Sequence, residues 1–363
     1  MATAAAIGKQ VLRLPPLPTI KEILRIYNLR ATKHLSQNFL LQEKIINKIE
    51  ESEVSKSLIK KTQNIIFLTT KINFLDSDTY VCEVGPGPGG LTRSILEKGA
   101  KHLIVVEKDR RFEPCLEQLE DASCNRLKVI FEDVLNLDCT RLFPDDAIRK
   151  WEEKPPPIHI IGNLPFNIST PLIIRWLRAM SERKGFFSYG RTRLTLTFQK
   201  EIAERMVAQP LDDQQRCRLS VMCQYLTNVE HVLNIPGKFC VPKPEVDIGV
   251  VHFEPLVEPL IKQPFNLVEK VMRHVFHYRQ KHIKRGVGTL FPKALKHLTA
   301  EVFEKSGVNP KKRCYQLSMH ELKMMCDVYA ELCNRFPDLV AYDYRNKESV
   351  EKWMFYTEEY NYK

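Results

Sequence analysis

The sequence predicts an α/β fold with a mostly parallel sheet, followed by a small all-helical C-terminal domain. Three observations support this prediction. Short apolar runs alternate with amphipathic helical segments from Tyr80 to Ile161, a pattern typical of parallel strands joined by right-handed helical crossovers. A glycine-rich turn follows the first of these strands and opens a helix. After Pro255 the strand patterns stop, and helical patterns continue alone.

Length and composition indicate a globular protein of two domains. The chain has 363 residues with 44% hydrophobic content, which is enough to bury a full core. We predict an N-terminal extension with a transit peptide and a helix, a sheet domain with an insertion, a helical domain that binds a polyanion, and a tail. These segments are residues 1–30, 31–255 with the insertion at 52–77, 256–345 and 346–363.

Charge and cysteine usage narrow the classes of function. A net charge of +11 favours a polyanionic partner. The ten cysteines include no Cys-x-x-Cys pair, so we expect reduced packing residues in an intracellular compartment and no metal site. No apolar run is long enough to span a bilayer, so we expect no membrane association.

The first residues have the charge pattern of an organellar presequence. Lys9, Arg13 and Lys21 precede Glu22, which is the first acid of the chain. Basic segments without acids are typical of mitochondrial targeting peptides. The capping-box pattern from Thr19 to Glu22 then predicts the start of an amphipathic helix. The sequence therefore indicates a mitochondrial location.

Apolar periodicity places the elements of both domains in chain order. Runs of four to eight mostly apolar residues predict strands at 80–84, 102–106, 128–131, 158–161, 193–198 and 246–253. Apolar residues spaced by three and four predict helices at 91–98, 112–119, 199–207, 218–226, 267–285 and within 301–334. The helix after Ile161 is predicted to begin with Thr170 as its N-cap and Pro171 at its first position.

The glycine-rich turn is a candidate cofactor site. In Glu83-Val-Gly-Pro-Gly-Pro-Gly-Gly90, the residues Gly85, Gly87 and Gly90 satisfy the dinucleotide-binding fingerprint. Glu107 ends the next strand, where an acid can accept hydrogen bonds from ribose hydroxyls. This pattern leaves two cofactors open, a nicotinamide dinucleotide and S-adenosylmethionine.

Three details favour S-adenosylmethionine over the dinucleotide. Pro86 and Pro88 lack the backbone N–H groups that a diphosphate needs. Glu83 places a negative charge before the turn, which suits a cationic sulfonium better than a diphosphate. Asp133 and Val134 follow the third strand, where a carboxylate can accept from an adenine amine and an apolar side chain can pack on the ring.

The loop after the strand at 158–161 has the composition of an amine-binding site. Asn163 supplies a side-chain oxygen, and Leu164 supplies a backbone carbonyl that Pro165 holds rigid. Phe166 offers a ring face on which a base can stack. Because loops at the carboxyl ends of strands bind ligands, we predict that these four residues form the catalytic site. The alternative is a simple turn with a buried phenylalanine.

These motifs, taken in order, resemble the small-subunit ribosomal RNA adenine dimethyltransferases. Within that family, Tyr189-Gly-Arg-Thr192 and the segment from Leu14 to Ile20 are most similar to the mitochondrial members, which are also described as mitochondrial transcription factor B proteins. The resemblance covers about residues 35–291 apart from the insertion. It rests on Gln37-Asn38-Phe39-Leu40, Glu83 to Gly90, Glu107-Lys108, Asp133-Val134, Asn163-Leu-Pro-Phe166 and Arg218-Leu-Ser-Val221.

The resemblance implies a Rossmann-like, class I S-adenosylmethionine-dependent methyltransferase that dimethylates adjacent adenosines of small-subunit rRNA. It implies that Phe166 and Phe239 clamp the target adenine. It also implies that the partner is rRNA in the assembling mitochondrial small subunit, within the matrix, and that the enzyme acts as a monomer. The implied cofactor-binding residues are Gln37, Asn38, Leu40, Gly85, Gly87, Glu107, Lys108, Asp133, Val134 and Asn163.

A basic stretch in the C-terminal region supplies candidate RNA contacts. No acid occurs from 270 to 285, whereas six lysines and arginines do. Beside an RNA-modifying domain, this run predicts a phosphate-binding helix rather than a merely solvated charged face. The predicted substrate-binding residues of this stretch are Arg279, Lys281, Lys284 and Arg285, and Lys270 belongs to the same run.

Two functions of other classes compete with the methyltransferase. One is a nucleic-acid-binding mitochondrial transcription factor with little or no turnover, and the other is an NAD-dependent oxidoreductase. The complete set of site residues disfavours the first, because a protein that only binds has no need to retain them. The two prolines of the glycine turn and the amine-binding loop disfavour the second.

Overall fold

A computed structural model describes residues 14, 39–40, 78–241 and 244–353 of the chain. The predicted capping box, most of the N-terminal extension, Gln37, Asn38 and the insertion at 52–77 lie outside the described residues. Leu14 is half-buried and packs against the core of the sheet.

The described strands form two sheets. A seven-stranded sheet has the order β4-β3-β2-β5-β6-β9-β7, and β1 pairs antiparallel with β8. The neighbours from β4 through β6 are all parallel, which confirms the predicted α/β class. The strands are β1 (Phe39–Leu40), β2 (Tyr80–Val84), β3 (His102–Glu107), β4 (Leu127–Phe131), β5 (Ile158–Gly162), β6 (Arg193–Gln199), β7 (Thr227–Ile235), β8 (Cys240–Val241) and β9 (Ile248–Pro255).

Helices alternate with the first strands and then continue alone. After β9, the described residues up to 353 form helices and short 3-10 turns, as the sequence predicts. The helices are α1 (Gly90–Glu97), α2 (Glu113–Ala122), α3 (Phe166–Ser181), α4 (Lys200–Val207), α5 (Arg218–Gln224), α6 (Phe265–Val275), α7 (Ile283–Val287), α8 (Leu298–Ser306), α9 (Met319–Arg335) and α10 (Lys347–Lys352).

The central strands are buried along nearly their whole length. All five residues of β2 and all five of β5 are buried, as are five of the six in β3. Strands covered on both faces have continuous apolar sequences, which explains why their predicted bounds are correct to within one residue. The hydrophobic core that these strands help to form contains Val81, Ile95, Leu103, Val105 and Ile161.

The chain divides into two compact units. The first comprises the described residues up to 172 together with 188–200 and 232–252. The second comprises residues 173–187 and 201–231 together with the described residues from 253 onward. The second unit thus takes in segments on both sides of Pro255, and the domain boundary after that residue stays a prediction.

Helix α3 begins earlier than the sequence predicts. It starts at Phe166 and carries Pro171 in its interior, so the assignment of Thr170 as N-cap is wrong. The carbonyl of Pro165 accepts hydrogen bonds from the amides of Ile168 and Ser169, at 3.1 Å each. The first turn is therefore complete before Pro171 is reached, and this proline removes a single backbone donor.

The basic stretch does not form one helix. Helix α6 ends at Val275, and α7 begins only at Ile283. A Cβ atom at Gly286 would overlap the backbone carbonyl of His274, so α7 folds back against α6. The single helix predicted for 267–285 is wrong because this packing requires a reversal of the chain between the two segments.

Lys270 is a structural residue of the second unit. Its side chain is buried, and its Nζ donates to the carbonyls of Leu339, Val340 and Tyr342 at 2.6, 3.1 and 2.7 Å. Burial lowers the pKa of this amine to about 8. Its place in a phosphate-binding surface is therefore a wrong prediction, since all three donors point to backbone carbonyls.

The segment that resembles mitochondrial relatives fixes a loop of the first unit. The Tyr189 hydroxyl accepts from the amide of Phe143 at 3.0 Å, and the Tyr189 carbonyl accepts from the amide of Arg149 at 3.0 Å. Gly190 has φ +113°, and a Cβ there would lie 2.6 Å from the Arg149 carbonyl oxygen. This segment therefore serves packing.

Cysteine placement agrees with the sequence prediction. All ten cysteines lie in the part of the chain that the structure describes, and all are free, with eight of them buried. Free buried cysteines behave as small apolar packing residues. Within the described ranges, we find no helix of sufficient length and apolarity to traverse a bilayer.

Candidate cofactor and amine site

Loops after four parallel strands surround a cavity at the carboxyl edge of the sheet. Val84 of β2 pairs with Val106 of β3 and with Gly162 of β5, so these strands end side by side. The cavity has a volume of about 610 Å³, a size that suits a cofactor. It is lined by Val84, Gly85, Val106, Glu107, Lys108, Asp109, Arg110, Arg111, Glu132, Asp133, Val134, Leu164, Pro165 and Ile168.

The glycine-rich turn offers no backbone donor to a diphosphate. The amide of Gly85 donates to the Val106 carbonyl at 2.9 Å, and that of Gly89 donates to the Pro86 carbonyl at 3.1 Å. The amide of Gly87 donates to Oε2 of Glu107 at 3.0 Å. Because the two intervening prolines have no N–H group, every donor from 85 to 89 is either absent or already bonded. This geometry disfavours a nicotinamide dinucleotide.

Two glycines of this turn are required by its backbone. Gly85 has φ +71° and Gly89 has φ +83°, a region that side chains rarely adopt. A Cβ at Gly89 would also overlap the side chain of Leu119. The turn therefore brings β2 into α1 in one fixed shape.

Glu107 connects the turn to the end of β3. Its Oε1 accepts from the amide of Asp109 at 2.8 Å, while Oε2 holds Gly87. Burial raises the pKa of this carboxyl, and the two amide donors oppose that rise. Each oxygen keeps acceptor capacity beyond its one amide, so Glu107 fits the ribose-binding role predicted for it.

Asp133 and Val134 line the cavity after β4, the strand next to β3. Oδ1 of Asp133 accepts from the amide of Leu135 at 3.0 Å, and its Oδ2 forms an ion pair with Nζ of Lys108 at 2.8 Å. The amide of Leu135 and the ammonium of Lys108 together fix the carboxylate in place. Lys108 also lines the cavity, and its cofactor-binding role stays a prediction.

Glu83 is a buried acid directly before the turn. Its side chain is 1% exposed, and its Oε2 accepts from the hydroxyl of Thr92 at 2.7 Å. Burial raises the pKa of this carboxyl to about 8, and the negative charge of Glu107 adds to the rise. At neutral pH the carboxyl is therefore largely protonated unless a cation lies nearby.

We expect Glu83→Gln to flatten the pH dependence of stability. In the folded protein the Glu83 pKa is about 8, whereas its ordinary value is 4.5. Between these two pH values the folded state binds more protons than the unfolded chain, so the free energy of unfolding falls as pH rises. Glutamine keeps the oxygen that accepts from Thr92 and removes this slope, which is at most about 1.4 kcal/mol per pH unit.

Urea unfolding from about pH 5 to about pH 8 measures this effect. Glu117→Gln, which changes an exposed glutamate on α2, is the control and should keep the slope of the wild type. Parallel curves for wild type and Glu83→Gln would show that Glu83 is ionised in the folded protein throughout this range.

The amine-binding loop leaves β5 beside the cavity. Leu164 and Pro165 line the cavity. Asn163 lies next to β6, where the hydroxyl of Thr197 donates to its Oδ1 at 2.8 Å. This bond occupies one of the two acceptor sites of the amide oxygen. The amide plane of Asn163 is therefore oriented from within the protein.

Phe166 is the first residue of α3 rather than part of the loop. Its side chain is half-buried and packs against the core of the sheet. It is not among the residues that line the cavity. The base-stacking role predicted for this ring stays a prediction.

Leu40 and Phe239, predicted to contact the cofactor and the target base, lie in or beside the two-stranded sheet of β1 and β8. Leu40 of β1 is the register partner of Cys240 in β8. Phe239 directly precedes β8 in the 3-10 turn Gly237–Phe239. The backbones of Leu40 and Phe239 are thus close neighbours, as a shared site requires, and the roles of both side chains stay predictions.

The predicted RNA-binding residues differ in their surroundings. Arg279 is half-buried, and its guanidinium donates to the carbonyls of Arg216 and Asp213 at 2.6 Å each. Lys281, Lys284 and Arg285 are exposed. Arg279 therefore has a structural bond within its unit, and the RNA-binding role of all four stays a prediction.

Thr197 is a site residue that the sequence did not reveal. The signal that exists is a strand with two threonines between apolar residues, at 195 and 197. The residues that these threonines contact depend on the register between β5 and β6. In that register Leu196 pairs with Gly162, which places Thr197 beside Asn163. The sequence also gave no indication that Asp109, Arg110, Arg111 and Ile168 line the cavity.

The cavity fits a cationic, adenosine-bearing cofactor. Glu107 and Asp133 are two of the four acidic residues in its lining, which also holds three basic residues and apolar walls that include Val106 and Val134. The carboxylates accept from ribose and adenine donors and favour positive charge, and the turn withholds phosphate donors. Among the described residues, no group of three or more histidine, cysteine or carboxylate side chains is placed to hold a metal ion.

The chain is similar in sequence to known proteins along most of its length. The family model for ribosomal RNA adenine dimethylase matches residues 28–331. The chain is 49% identical over 348 residues to mitochondrial dimethyladenosine transferase 1 of Bos taurus, with 96% of this chain and 95% of that protein covered. It is 47% identical over 353 residues to dimethyladenosine transferase 1, mitochondrial, of Xenopus laevis, with 97% and 96% covered.

A solved structure agrees with the fold. The crystal structure of a dimethyladenosine transferase from Plasmodium falciparum superposes with a TM-score of 0.56 at 22% sequence identity. The superposition covers 74% of this chain and 94% of that one. This similarity supports the class I methyltransferase fold independently of the sequence motifs.

Proposed function

This chain belongs to the ribosomal RNA adenine dimethylase family, and on that premise we propose that it dimethylates adjacent adenosines of mitochondrial small-subunit rRNA. It is an rRNA adenine dimethyltransferase, and S-adenosylmethionine is its cofactor. Its mitochondrial relatives support a mitochondrial location. We assign it to the matrix, where a monomer of the enzyme acts on the assembling small subunit.

One observation carries this proposal, the fixed amide of Asn163 beside a cavity that Glu107 and Asp133 line. The Thr197 hydroxyl holds the Asn163 oxygen at 2.8 Å, next to Leu164 and Pro165 on the cavity wall. A planar amine with two hydrogens is the group that matches two adjacent acceptors. The exocyclic amine of adenine has this shape.

Bound S-adenosylmethionine supplies an electrophilic methyl group at a sulfonium. Glu107 would hold the ribose hydroxyls and Asp133 the adenine amine of the cofactor, each from one wall of the cavity. Gly85 and Gly87 have no side chains to obstruct it. Because Glu107 and Asp133 are fixed by backbone amides, they require little rearrangement to bind.

Asn163 and the Leu164 carbonyl would accept the two hydrogens of the target amine and aim its nitrogen. When the methyl group passes to that nitrogen, the carbon–sulfur bond would break with its electron pair left on a neutral thioether sulfur, and the two acceptor dipoles would stabilise the positive charge gained by the nitrogen. The proton then leaves to water, so the reaction needs no general base. Most of the acceleration comes from positioning.

The target adenine must leave its stack to reach this site, which costs a few kcal/mol and less in a loop. We propose that the rings of Phe166 and Phe239 hold the flipped base on its two faces. Phe239 adjoins β8, whose partner β1 carries Leu40. Aromatic stacking tolerates tyrosine in place of phenylalanine, because the ring face is unchanged.

The decisive experiment is a methyl-transfer assay with labelled S-adenosylmethionine on mitochondrial small subunits at different stages of assembly. Nucleoside analysis should recover dimethyladenosine from rRNA. Binding of rRNA without any transferred label would support the alternative, a transcription factor that binds nucleic acid without turnover. Label in a nucleoside other than adenosine would contradict the amine-site geometry.

Variants of Phe166 test the stacking role. We expect Phe166→Ala to lower both capture of the target base and transfer rate, since base stacking contributes about 1–3 kcal/mol. Phe166→Tyr should retain nearly the activity of the wild type. Single-turnover transfer gives the rate and the apparent RNA affinity of each variant. Equal losses in Phe166→Ala and Phe166→Tyr would indicate that Phe166 acts only through packing.

A further inference from the structure

A second cavity lies in the helical part of the chain. It has a volume of about 480 Å³ and belongs wholly to the second unit. Its walls come from α7, the turn after it and the start of α8. Four basic side chains line it, those of Lys284, Arg285, Lys296 and His297. No aspartate or glutamate is among the described residues of its lining.

Thr299 gives this cavity a binding group that a solvated charged face does not need. The residue lies in the first turn of α8, is only 6% exposed and lines the cavity. Its hydroxyl has no hydrogen-bond partner in the part of the chain that the structure describes. A buried hydroxyl without a partner destabilises a fold, so its retention here indicates an acceptor supplied from outside.

Gly288 leaves room beside that hydroxyl. A Cβ built on Gly288 would lie 3.8 Å from the Thr299 oxygen, in ordinary van der Waals contact, so the missing side chain leaves the volume of a methyl group unfilled beside it. The neighbouring Thr289 differs, because its hydroxyl donates to the Gly286 carbonyl at 2.6 Å. Of the two threonines in the lining, Thr299 is thus the one whose hydroxyl has no partner among the described residues.

Arg285 is prepared for a planar, bidentate contact. Its guanidinium lies 4.5 Å from the centroid of the Tyr278 ring. Stacking on an aromatic face orients a guanidinium while its N–H edges stay directed outward. Guanidinium edges of this kind match the oxygens of a phosphate. With Lys284 and Lys296 on the same cavity, the group recognised is a tetrahedral anion.

We propose that this cavity binds one backbone phosphate of the RNA substrate, with the Thr299 hydroxyl as a donor and Arg285, Lys284 and Lys296 as its cations. The volume exceeds that of a phosphate alone and admits the attached sugar. That the phosphate belongs to RNA rests on the proposed function, whereas the anion-binding chemistry does not. Phosphate contacts fix register without reading sequence, so this site positions the strand.

Thr299→Val tests the hydroxyl without changing charge or shape. We expect about tenfold weaker binding of a single-stranded RNA oligonucleotide, the effect of one hydrogen bond to a charged group. Thermal unfolding of the variant should occur at the same or a higher temperature than in the wild type, because an unsatisfied buried hydroxyl is removed. Weaker binding with equal or greater stability excludes a packing defect.

Lys296→Ala tests the charge, with Lys293→Ala as its matched control. Both lysines are exposed and lie in neighbouring turns, but only Lys296 lines the cavity. Removing one phosphate contact should reduce the slope of log affinity against log salt by about 0.7 for a single strand. We expect this reduction in Lys296→Ala and not in Lys293→Ala.

Three results would overturn the proposal. The first is unchanged RNA affinity in Thr299→Val, and the second is equal salt slopes in the two lysine variants. The third is binding of inorganic pyrophosphate that requires Thr299 while RNA binding does not, which would assign the cavity to free phosphate. Methyl transfer by the wild type is measured in parallel. If it is absent while the RNA-binding differences persist, the proposed function fails and the phosphate site stands.

Discussion

Asn163→Ala is expected to lower the single-turnover rate of methyl transfer by about 10²- to 10³-fold while RNA affinity stays nearly unchanged. The substitution removes one of two acceptors for the target amine at the reacting centre. Such acceptors act mainly as charge develops on nitrogen, so their loss appears in rate. Affinity comes mostly from phosphate contacts elsewhere. Wild-type rates in this variant would mean that the loop is only a structural turn.

Thr197→Val provides a graded test of the same amide. The hydroxyl of Thr197 fixes the Asn163 oxygen at 2.8 Å but touches no reacting atom in the proposed arrangement. We therefore treat Thr197 as a positioning residue. Its loss should lower the rate by about tenfold, the value of one hydrogen bond, and should add nothing in the Asn163→Ala background. The control is Thr195→Val on the same strand, whose hydroxyl contacts His159 at 2.8 Å instead.

Glu107→Ala is expected to weaken S-adenosylmethionine binding by roughly 1.5–3 kcal/mol, the range for hydrogen bonds to charged groups. The structure gives a second reason for a large effect. The same carboxylate accepts from the amides of Gly87 and Asp109, so its removal frees both donors and loosens the turn. The loss should therefore lie toward the upper end of this range.

Titration calorimetry of the cofactor measures this loss directly. Glu117→Ala on α2 changes an exposed acid and should bind the cofactor as the wild type does. Unchanged affinity in Glu107→Ala would remove the ribose assignment. Tight binding of NAD by the wild type would contradict the cofactor, in spite of the missing phosphate donors in the turn.

The sheet was predictable because its strands are buried on both faces. Tyr80–Val84 and Ile158–Gly162 are mostly apolar segments apart from Glu83 and His159, so local sequence sets their bounds. Strand β7 was missed for the opposite reason. Of its nine residues only Thr227 and Ile235 are buried, and polar residues interrupt the strand. Its sequence therefore shows only a weak pattern of apolar residues.

Part of the site was likewise readable from local sequence. Four site residues lie at or shortly after the ends of predicted strands, and parallel pairing brings them to one edge of the sheet. They are Glu107, Asp133, Leu164 and Pro165. Thr197 was not readable, because its contact with Asn163 depends on the register between β5 and β6. The basic residues show the same limit. Lys270 and Lys284 share one sequence run, yet tertiary packing buries the first and exposes the second.

The prolines at 86 and 88 fix two backbone torsions of the glycine-rich turn, so the turn has less conformational entropy to lose when a ligand arrives. Every amide hydrogen it has is bonded before the cofactor enters. Entry and exit therefore need no refolding of the turn, and association can approach the speed of diffusion into the cavity. A dimethyltransferase must discharge spent cofactor and load a fresh molecule between the two transfers to one nitrogen. We expect a turn that needs no refolding to shorten this exchange between the two transfers.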